Sequence, residues 1–256
     1  MTMKKKNKML IIGATSGLGA ALAAYYAPRT EVLALTGRRV GELKRLCGTR
    51  SGMLWARTDV TRPEEAIPAL ESLVERMGGA DCIVLCAGVG CVNRELDFGR
   101  ERPAILTNVY GWTAVADWAF GYLSRRGRGH LVAISSIAGV RGLAPASAYA
   151  ASKAYQIHYL EALRQRALAG GVPVYVTDIR PGFVRTPLLG DDPHYPGVAT
   201  VERVLPLLVR AIERKAAVAV VPGWWRPVVW MMRVLPARFL AAVLWRKERP
   251  AHRRKF

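Results

Sequence analysis

A short apolar run, Met9 to Ile12, passes directly into Gly13-Ala-Thr15-Ser16-Gly17-Leu18-Gly19 and then into an alanine-rich stretch, Leu18 to Ala27. A buried strand that turns at once into a helix needs a crossover to reach a neighbouring parallel strand, so this order constrains the fold more than any other feature of the chain. The alternation recurs downstream. Apolar runs predict strands at 8–13, 31–36, 52–57, 81–86, 129–135, 172–178 and 216–221, with helices in the intervals, including 62–77, 101–125 and 148–169. Such a pattern requires an α/β fold: a doubly wound parallel sheet of about seven strands with helices on both faces. With 256 residues, 51% of them hydrophobic, the chain can bury one large core. It shows no low-complexity linker and no repeat at solenoid periods. The expected organisation is one domain over residues 1–223, followed by an extension over 224–256.

The glycine turn has a chemical reading of its own. Backbone N–H groups and the positive dipole end of the following helix face an anion, and the missing Cβ atoms let a pyrophosphate approach closely. A second group of residues lies in the middle of the chain, in Ile134-Ser-Ser136-Ile-Ala-Gly through Tyr149-Ala-Ala-Ser-Lys153. Tyr149 and Lys153 are four apart in a helical stretch and emerge on one face. An ammonium beside a phenol, whose ordinary pKa is about 10, lowers that pKa and makes the tyrosine a usable general acid or base. Ser136 follows the β-branched run His130-Leu-Val-Ala-Ile-Ser135, where a parallel strand delivers a hydroxyl to the carboxyl edge of the sheet.

Together these residues resemble the short-chain dehydrogenase/reductase family, in its compact branch of about 250 residues. The glycine turn is similar to that family's TGxxxGxG loop, with Ile12 in place of the usual threonine, and Ser136, Tyr149 and Lys153 match its catalytic serine and YxxxK. Asn108 resembles the helix asparagine that holds a proton-relaying water for the lysine. Asp59-Val60 resembles the pair beside the adenine ring, and Pro181-Gly182 followed by Thr186 the segment that closes over the nicotinamide. Cys86-Ala87-Gly88 stands where the family usually has Asn-Ala-Gly, and the cysteine reads as a small buried thiol. The resemblance runs from about Met9 to Val221. It implies a Rossmann-type sheet, an NAD(P)-dependent interconversion of a carbonyl and an alcohol by hydride transfer, and a homodimer or homotetramer. Gly13, Thr15, Ser16, Gly17, Leu18, Gly19, Ala87 and Gly88 would bind the cofactor alongside Tyr149 and Lys153, with Lys153 on the nicotinamide ribose. The substrate pocket is expected between Ile137–Ala146 and the loop Leu188–Ala199, where Leu143, Leu188 and Leu189 suit an apolar aldehyde or ketone. The rival reading is a sensor or scaffold that binds NADP without turnover.

The second strand bears on the cofactor. Glu31-Val-Leu-Ala-Leu-Thr36-Gly37 ends without the acid that grips a ribose 2′-hydroxyl and is followed by Arg38-Arg39. Positive charge at a helix start is unfavourable beside the dipole unless an anion joins it, so NADP (NADPH) is favoured over NAD.

Cys47, Cys82, Cys86 and Cys91 form no C-x-x-C pair, and His130, His158, His194 and His252 are scattered, so no metal site is expected. The N-terminus, Met1-Thr-Met-Lys-Lys-Lys, reads directly into the first strand and not as a secretion signal, which suits a cytoplasmic protein. Residues 1–8 contribute +4, and residues 224–256 carry nine Lys/Arg against Glu248, so the two ends hold +12 of the formal +19. Between the cations of the extension lie Trp224, Trp225, Trp230, Met231, Met232, Phe239 and Trp245, and Pro236 divides the segment into two short helices. Its apolar runs are too short to span a bilayer. Peripheral contact with an anionic membrane surface and packing over the pocket or a neighbouring subunit are both open, with Arg246–Lys255 left in solvent. No helix-turn-helix, zinc or RNA-binding signature accompanies the charge, which argues against nucleic acid as a partner.

Overall fold

The computed structural model describes residues 8–189 and 195–246. The basic N-terminus, the centre of the 188–199 loop and most of the cationic tail expected to be solvated thus lie outside the described residues.

Seven strands form one all-parallel sheet: β1 (Lys8–Ile12), β2 (Val32–Gly37), β3 (Met53–Arg57), β4 (Cys82–Leu85), β5 (Gly129–Ile134), β6 (Val174–Pro181) and β7 (Val218–Val221), in the order β3-β2-β1-β4-β5-β6-β7. Each predicted strand is present within a few residues. The period of two explains why the central strands are apolar throughout. Leu10 and Ile12 of β1, with Ile83 and Leu85 of β4, face the core beneath α3 (Pro63–Arg76), α5 (Trp112–Arg125) and α6 (Ser147–Ala169). Met9 and Ile11, with Cys82 and Val84, face the opposite core beneath α1 (Gly17–Tyr26), α2 (Val40–Cys47) and α7 (Val201–Glu213). Trp112 and Trp118 are buried in the first of these cores, so neither is offered to a partner subunit.

The predicted helix 101–125 differs in detail. Helix α4 (Phe98–Ile105) starts three residues earlier, because the Asp97 carboxylate accepts the Gly99 N–H at 2.8 Å and caps it. A π-helical turn, Leu106–Gly111, then joins α4 to α5. The wider turn inserts an extra residue, carries Asn108 into the interior, and brings Gly111 onto the Val60 carbonyl, where a Cβ would collide. Strand β6 runs on to Pro181, beyond the predicted end at 178, because Arg180 and Pro181 still pair with Val220 and Val221.

The two short helices expected of the extension are α8 (Trp225–Val234) and α9 (Ala237–Arg246), broken at Pro236. Helix α8 buries Trp225 and Val229 against Ile137 in a third apolar cluster, with Val140 and Phe183 packed around them. Arg141 fastens the turn between the two helices by donating to the carbonyls of Arg233 (3.2 Å) and Leu235 (3.1 Å).

Candidate active site

The glycine turn closes over the ends of β1 and β2. The N–H groups of Gly13 and Ala14 both donate to the Thr36 carbonyl, at 3.0 and 2.9 Å. Gly13 has φ +87° and lies where a Cβ would come within 2.5 Å of the Ala87 nitrogen, and a Cβ on Gly19 would strike the Gly13 carbonyl. Only glycine fits either place. Ser16 occupies the N-cap of α1 with extended backbone, yet its side chain caps nothing, and the first turn contains no acid. The first N–H groups of that helix therefore remain available to an anion. Leu18 packs its side chain into the core beneath α1, and Thr186 stands over Gly17, 3.4 Å from where its Cβ would be.

The arginines after β2 reach this turn. Arg39 donates from Nε and Nη2 to Thr15 Oγ1, at 3.2 and 3.0 Å. Arg38, which is exposed, is close enough to act electrostatically on Asp59, as is Arg62. Burial pushes the Asp59 carboxyl up, but two hydrogen bonds from Thr61 and the two guanidinium charges outweigh it and hold the group below the usual carboxylate range.

At the carboxyl ends of β4 and β5 the second group assembles. Ser136 lies close enough to Tyr149 to act on its phenol, and Ser136 Oγ accepts the Ala138 N–H at 3.0 Å. The Tyr149 ring packs against Gly90, where any Cβ would collide with it. Lys153 is buried; its Nζ donates to the Ile134 carbonyl at 3.1 Å and to Gln156 Oε1 at 2.9 Å. Asn108 is fully buried, its amide clamped to both backbone groups of Val89 and to Ser152 Oγ. Gly88 lies between Asn108 and Lys153, since a Cβ there would be 3.4 Å from Asn108 Oδ1 and from Lys153 Nζ. Pro181 ends β6, and Gly182 supports the Trp225 indole.

One expectation needs correcting. In the protein alone the Tyr149 phenol stands above the ordinary tyrosine value: burial raises it, the Ser136 hydrogen bond pulls it down, and Tyr195 pushes it up again. Lys153 Nζ is 5.9 Å from the ring centre and turned toward Gln156 and Ile134, so its charge does not depress the phenol. Burial brings Lys153 itself down to about 8, against the opposing influence of Asp178 and Cys86. The Cys86 thiol, against Gly19, is pushed up to about 12 by burial and stays protonated at neutral pH.

Several residues at the site were not anticipated. Gln156, fully buried on α6, bridges Lys153 Nζ and the Asn108 carbonyl. Behind the site, Asp178 of β6 pairs with Arg180 Nε at 2.7 Å and accepts from Ser135 Oγ, with all three side chains buried. The signal for this pair was the polar Thr177-Asp178-Ile-Arg180 inside an otherwise apolar strand. Phe183, Tyr195, Trp224 and Trp225 pack into an aromatic group beside Ser136–Tyr149, Trp224 stacked on Trp225 and Phe183 edge-on to Trp225, with ring centroids 4.3 to 5.6 Å apart. A depression of about 450 Å³ lies along the outer side of α6, lined by Val140, Gly142, Leu143 and His158. Ser136, Tyr149 and Lys153 do not line it, so it is separate from the hydroxyl pair.

Comparison with known proteins places this geometry. The sequence profile of the short chain dehydrogenases matches residues 7–194. An uncharacterized oxidoreductase of Mycobacterium tuberculosis is 34% identical over 249 residues, covering 93% of this chain and 97% of the relative. One from Myxococcus xanthus is 38% identical over 185 residues, 70% of this chain and 72% of the relative. Among solved structures, a short-chain type dehydrogenase/reductase from Mycobacterium marinum superposes with a TM-score of 0.75 over 86% of this chain and 95% of its own, at 24% identity. Serine dehydrogenase from Escherichia coli gives 0.64 over 68% and 82%, at 27% identity. A Rossmann-type sheet in the order found, a glycine turn on its first strand and a profile match over most of the length together make the chain a member of the short-chain dehydrogenase/reductase family of NAD(P)-dependent oxidoreductases.

Proposed function

We propose that the protein is an NADPH-dependent reductase that converts an apolar aldehyde or ketone into an alcohol. The observation that carries this reading is the juxtaposition of Ser136 and Tyr149, with the tyrosine ring packed on Gly90 and Lys153 buried one helical turn further on. The bound nicotinamide would supply the hydride. Ser136 holds and polarises the carbonyl oxygen, and Tyr149 protonates it as charge develops there. A phenol kept above its ordinary pKa suits this direction, because the acid carries its proton at neutral pH. Lys153, with two of its three donors held by Ile134 and Gln156, has one left for the nicotinamide ribose. The aromatic group of Phe183, Tyr195, Trp224 and Trp225 is the reason for an apolar substrate. One relative bears the name 11-beta-hydroxysteroid dehydrogenase 1A, from Arabidopsis thaliana, at 31% identity over 189 residues, 70% of this chain and 53% of that protein. An apolar alicyclic carbonyl is consistent with both. The test is NADPH oxidation over a panel of aliphatic, aromatic and cyclic carbonyls. Tight NADPH binding with no turnover on any of them would instead favour the non-catalytic sensor or scaffold.

NADP over NAD rests on Arg38 and Arg39, which flank the glycine turn with no carboxylate ending β2. Replacing both with alanine is expected to weaken NADPH binding by roughly ten- to a hundredfold, the worth of a charge-assisted phosphate contact, and to change NADH binding by no more than about threefold. Fluorescence titration of both cofactors checks this. Equal loss for the two would overturn the assignment.

The extension supports peripheral attachment to an anionic membrane from the cytoplasmic side. Among the described residues, five of the thirteen exposed large apolar side chains fall between 224 and 239: Trp224, Trp230, Met231, Val234 and Phe239. Arg226, Arg233 and Arg238 are exposed among them, and residues 224–246 contain no acid. Exposed aromatic and cationic side chains on two short successive helices suit a surface that is apolar inside and anionic outside. No described helix is long and apolar enough to cross a membrane. The full chain is expected to float with phosphatidylglycerol-containing vesicles and to stay behind with purely zwitterionic ones, and Trp230→Ser with Phe239→Ser to abolish flotation at unchanged native mass. If the chain floats with neither vesicle, membrane attachment fails; a fall in native mass in the double variant would assign this face to a second copy. A homodimer or homotetramer would more naturally use the outward face of α4 and the π turn, where Ile105 and Tyr110 are exposed.

A further inference from the structure

The family resemblance implies a proton-relaying water held by Asn108 for Lys153, and the Asn108 main-chain carbonyl, one group that could hold it, is already taken. Gln156 Nε2 donates to it at 2.9 Å, and Gln156 Oε1 accepts from Lys153 Nζ at 2.9 Å. The orientation of this amide is forced. A lysine ammonium only donates and a backbone carbonyl only accepts, so the oxygen must face Lys153 and the nitrogen must face Asn108. Gln156 is fully buried and Lys153 nearly so, so no second arrangement through solvent competes.

We propose that Gln156 is a positioning residue that replaces the bridging water between Lys153 and the Asn108 carbonyl, holding Lys153 in its charged form and closing that route to protons. A water in this place could accept a proton on one side and release one on the other. A carboxamide does not readily do so, because its N–H protons do not ionise in the physiological range. What Gln156 gives instead is a fixed acceptor for a buried cation. Hydrogen bonds to charged groups are worth more than neutral ones, and in a buried site the difference appears directly in the lysine's ionisation. The other groups acting on Lys153 are Asp178 of β6, the Cys86 thiol after β4 and the Tyr149 ring on its own helix. Asp178 is the larger of the two opposing influences, and it acts from β6, not from α6 or the π turn. Removing the Gln156 acceptor must therefore lower the Lys153 pKa, and placing a carboxylate there must raise it.

The inference rests on the reductase reading only for its consequence in turnover, and its test needs neither substrate nor cofactor. With 13Cε-labelled lysine, the Lys153 resonance can be titrated in the full chain, assigned by its loss in Lys153→Arg. Gln156→Leu, close in volume, is expected to move the midpoint down by roughly one to two pH units, and Gln156→Glu to move it up by at least about one. Opposite shifts from two variants of similar size are not what a role in packing alone would give. Gln156→Ala leaves room for a water of about 30 Å³, and its crystal structure is expected to show one within hydrogen-bond distance of both Lys153 Nζ and the Asn108 carbonyl. Midpoints unchanged in both Gln156→Leu and Gln156→Glu, or a wild-type crystal structure with water between Lys153 and Asn108, would overturn the proposal. Should Gln156→Leu fail to fold, the upward shift in Gln156→Glu still decides it. A wild-type chain that binds no NADPH would sink the reductase reading and leave the lysine titration standing.

Discussion

Tyr149→Phe is expected to lower carbonyl reduction by about a hundred- to ten-thousandfold, the usual span for loss of a general acid, while NADPH affinity stays within about twofold. The separation follows from the packing. The ring rests on Gly90, and phenylalanine keeps that contact, while the hydroxyl beside Ser136 is the group that disappears. Measuring NADPH binding by fluorescence and turnover by absorbance, on the same preparation, separates a lost proton donor from a damaged fold. Turnover within a few-fold of wild type would sink the mechanism. The pH profile supplies a second check with a fixed sign. Lys153 must be charged to hold the ribose, and in the free protein burial brings its pKa down to about 8. With NADPH as the varied substrate, kcat/KM reports ionisations of the free enzyme, so it should be level below that value and fall as pH rises through about 8. Tyr149 adds no earlier alkaline limb, because its own shift is upward.

The sheet was legible because every central strand is apolar on both faces, and that alternation with helices admits few arrangements. Ser136, Tyr149 and Lys153 were legible as a spacing and Asn108 through the family resemblance, and the fold brings the four to one sheet edge. What the spacing could not convey is direction. Residues four apart share a helix face, but Lys153 turns along α6 toward Gln156, three residues further on, and does not bear on the phenol. The π turn had no periodic signature, since a single extra residue leaves the apolar pattern of α4 and α5 intact on either side. Gln156 reads in sequence as one more polar residue of a helix; its contact with Lys153 lies within α6, and only the approach of Asn108 from another helix turns it into a bridge. In the extension, Trp225 and Trp230 are indistinguishable by composition, yet one is buried beneath Phe183 and the other two-thirds exposed. That division depends on how α8 lies against Ile137, a tertiary contact across some ninety residues of chain.

The largest effect on stability should come from Asp178, which contributes nothing to the spacing from which the site was read. Its carboxylate pairs with Arg180 at 2.7 Å and accepts from Ser135, and the two charged side chains are 0% and 8% exposed. Desolvating such a pair is costly, so the pair itself adds little net stability; removing one member, however, strands the other as an unpaired buried charge, at about 3–5 kcal/mol. Asp178→Ala is therefore expected to lower Tm by roughly 6–20 °C, using about 2–4 °C per kcal/mol for a chain of this size. Asp178→Ala with Arg180→Met removes both charges and should recover most of that loss, since an apolar replacement of a buried pair is often near neutral. The same double variant answers a second question. Asp178 is the leading opposing influence on the depressed Lys153 pKa, so without it the alkaline fall of kcat/KM must begin below about 8, whether or not Tm has recovered. A variant restored in Tm yet shifted in its pH profile would show that the buried carboxylate acts on Lys153 through its field. A single variant melting within a degree or two of wild type would show that Arg180 finds another partner, and the ion pair would lose its structural role.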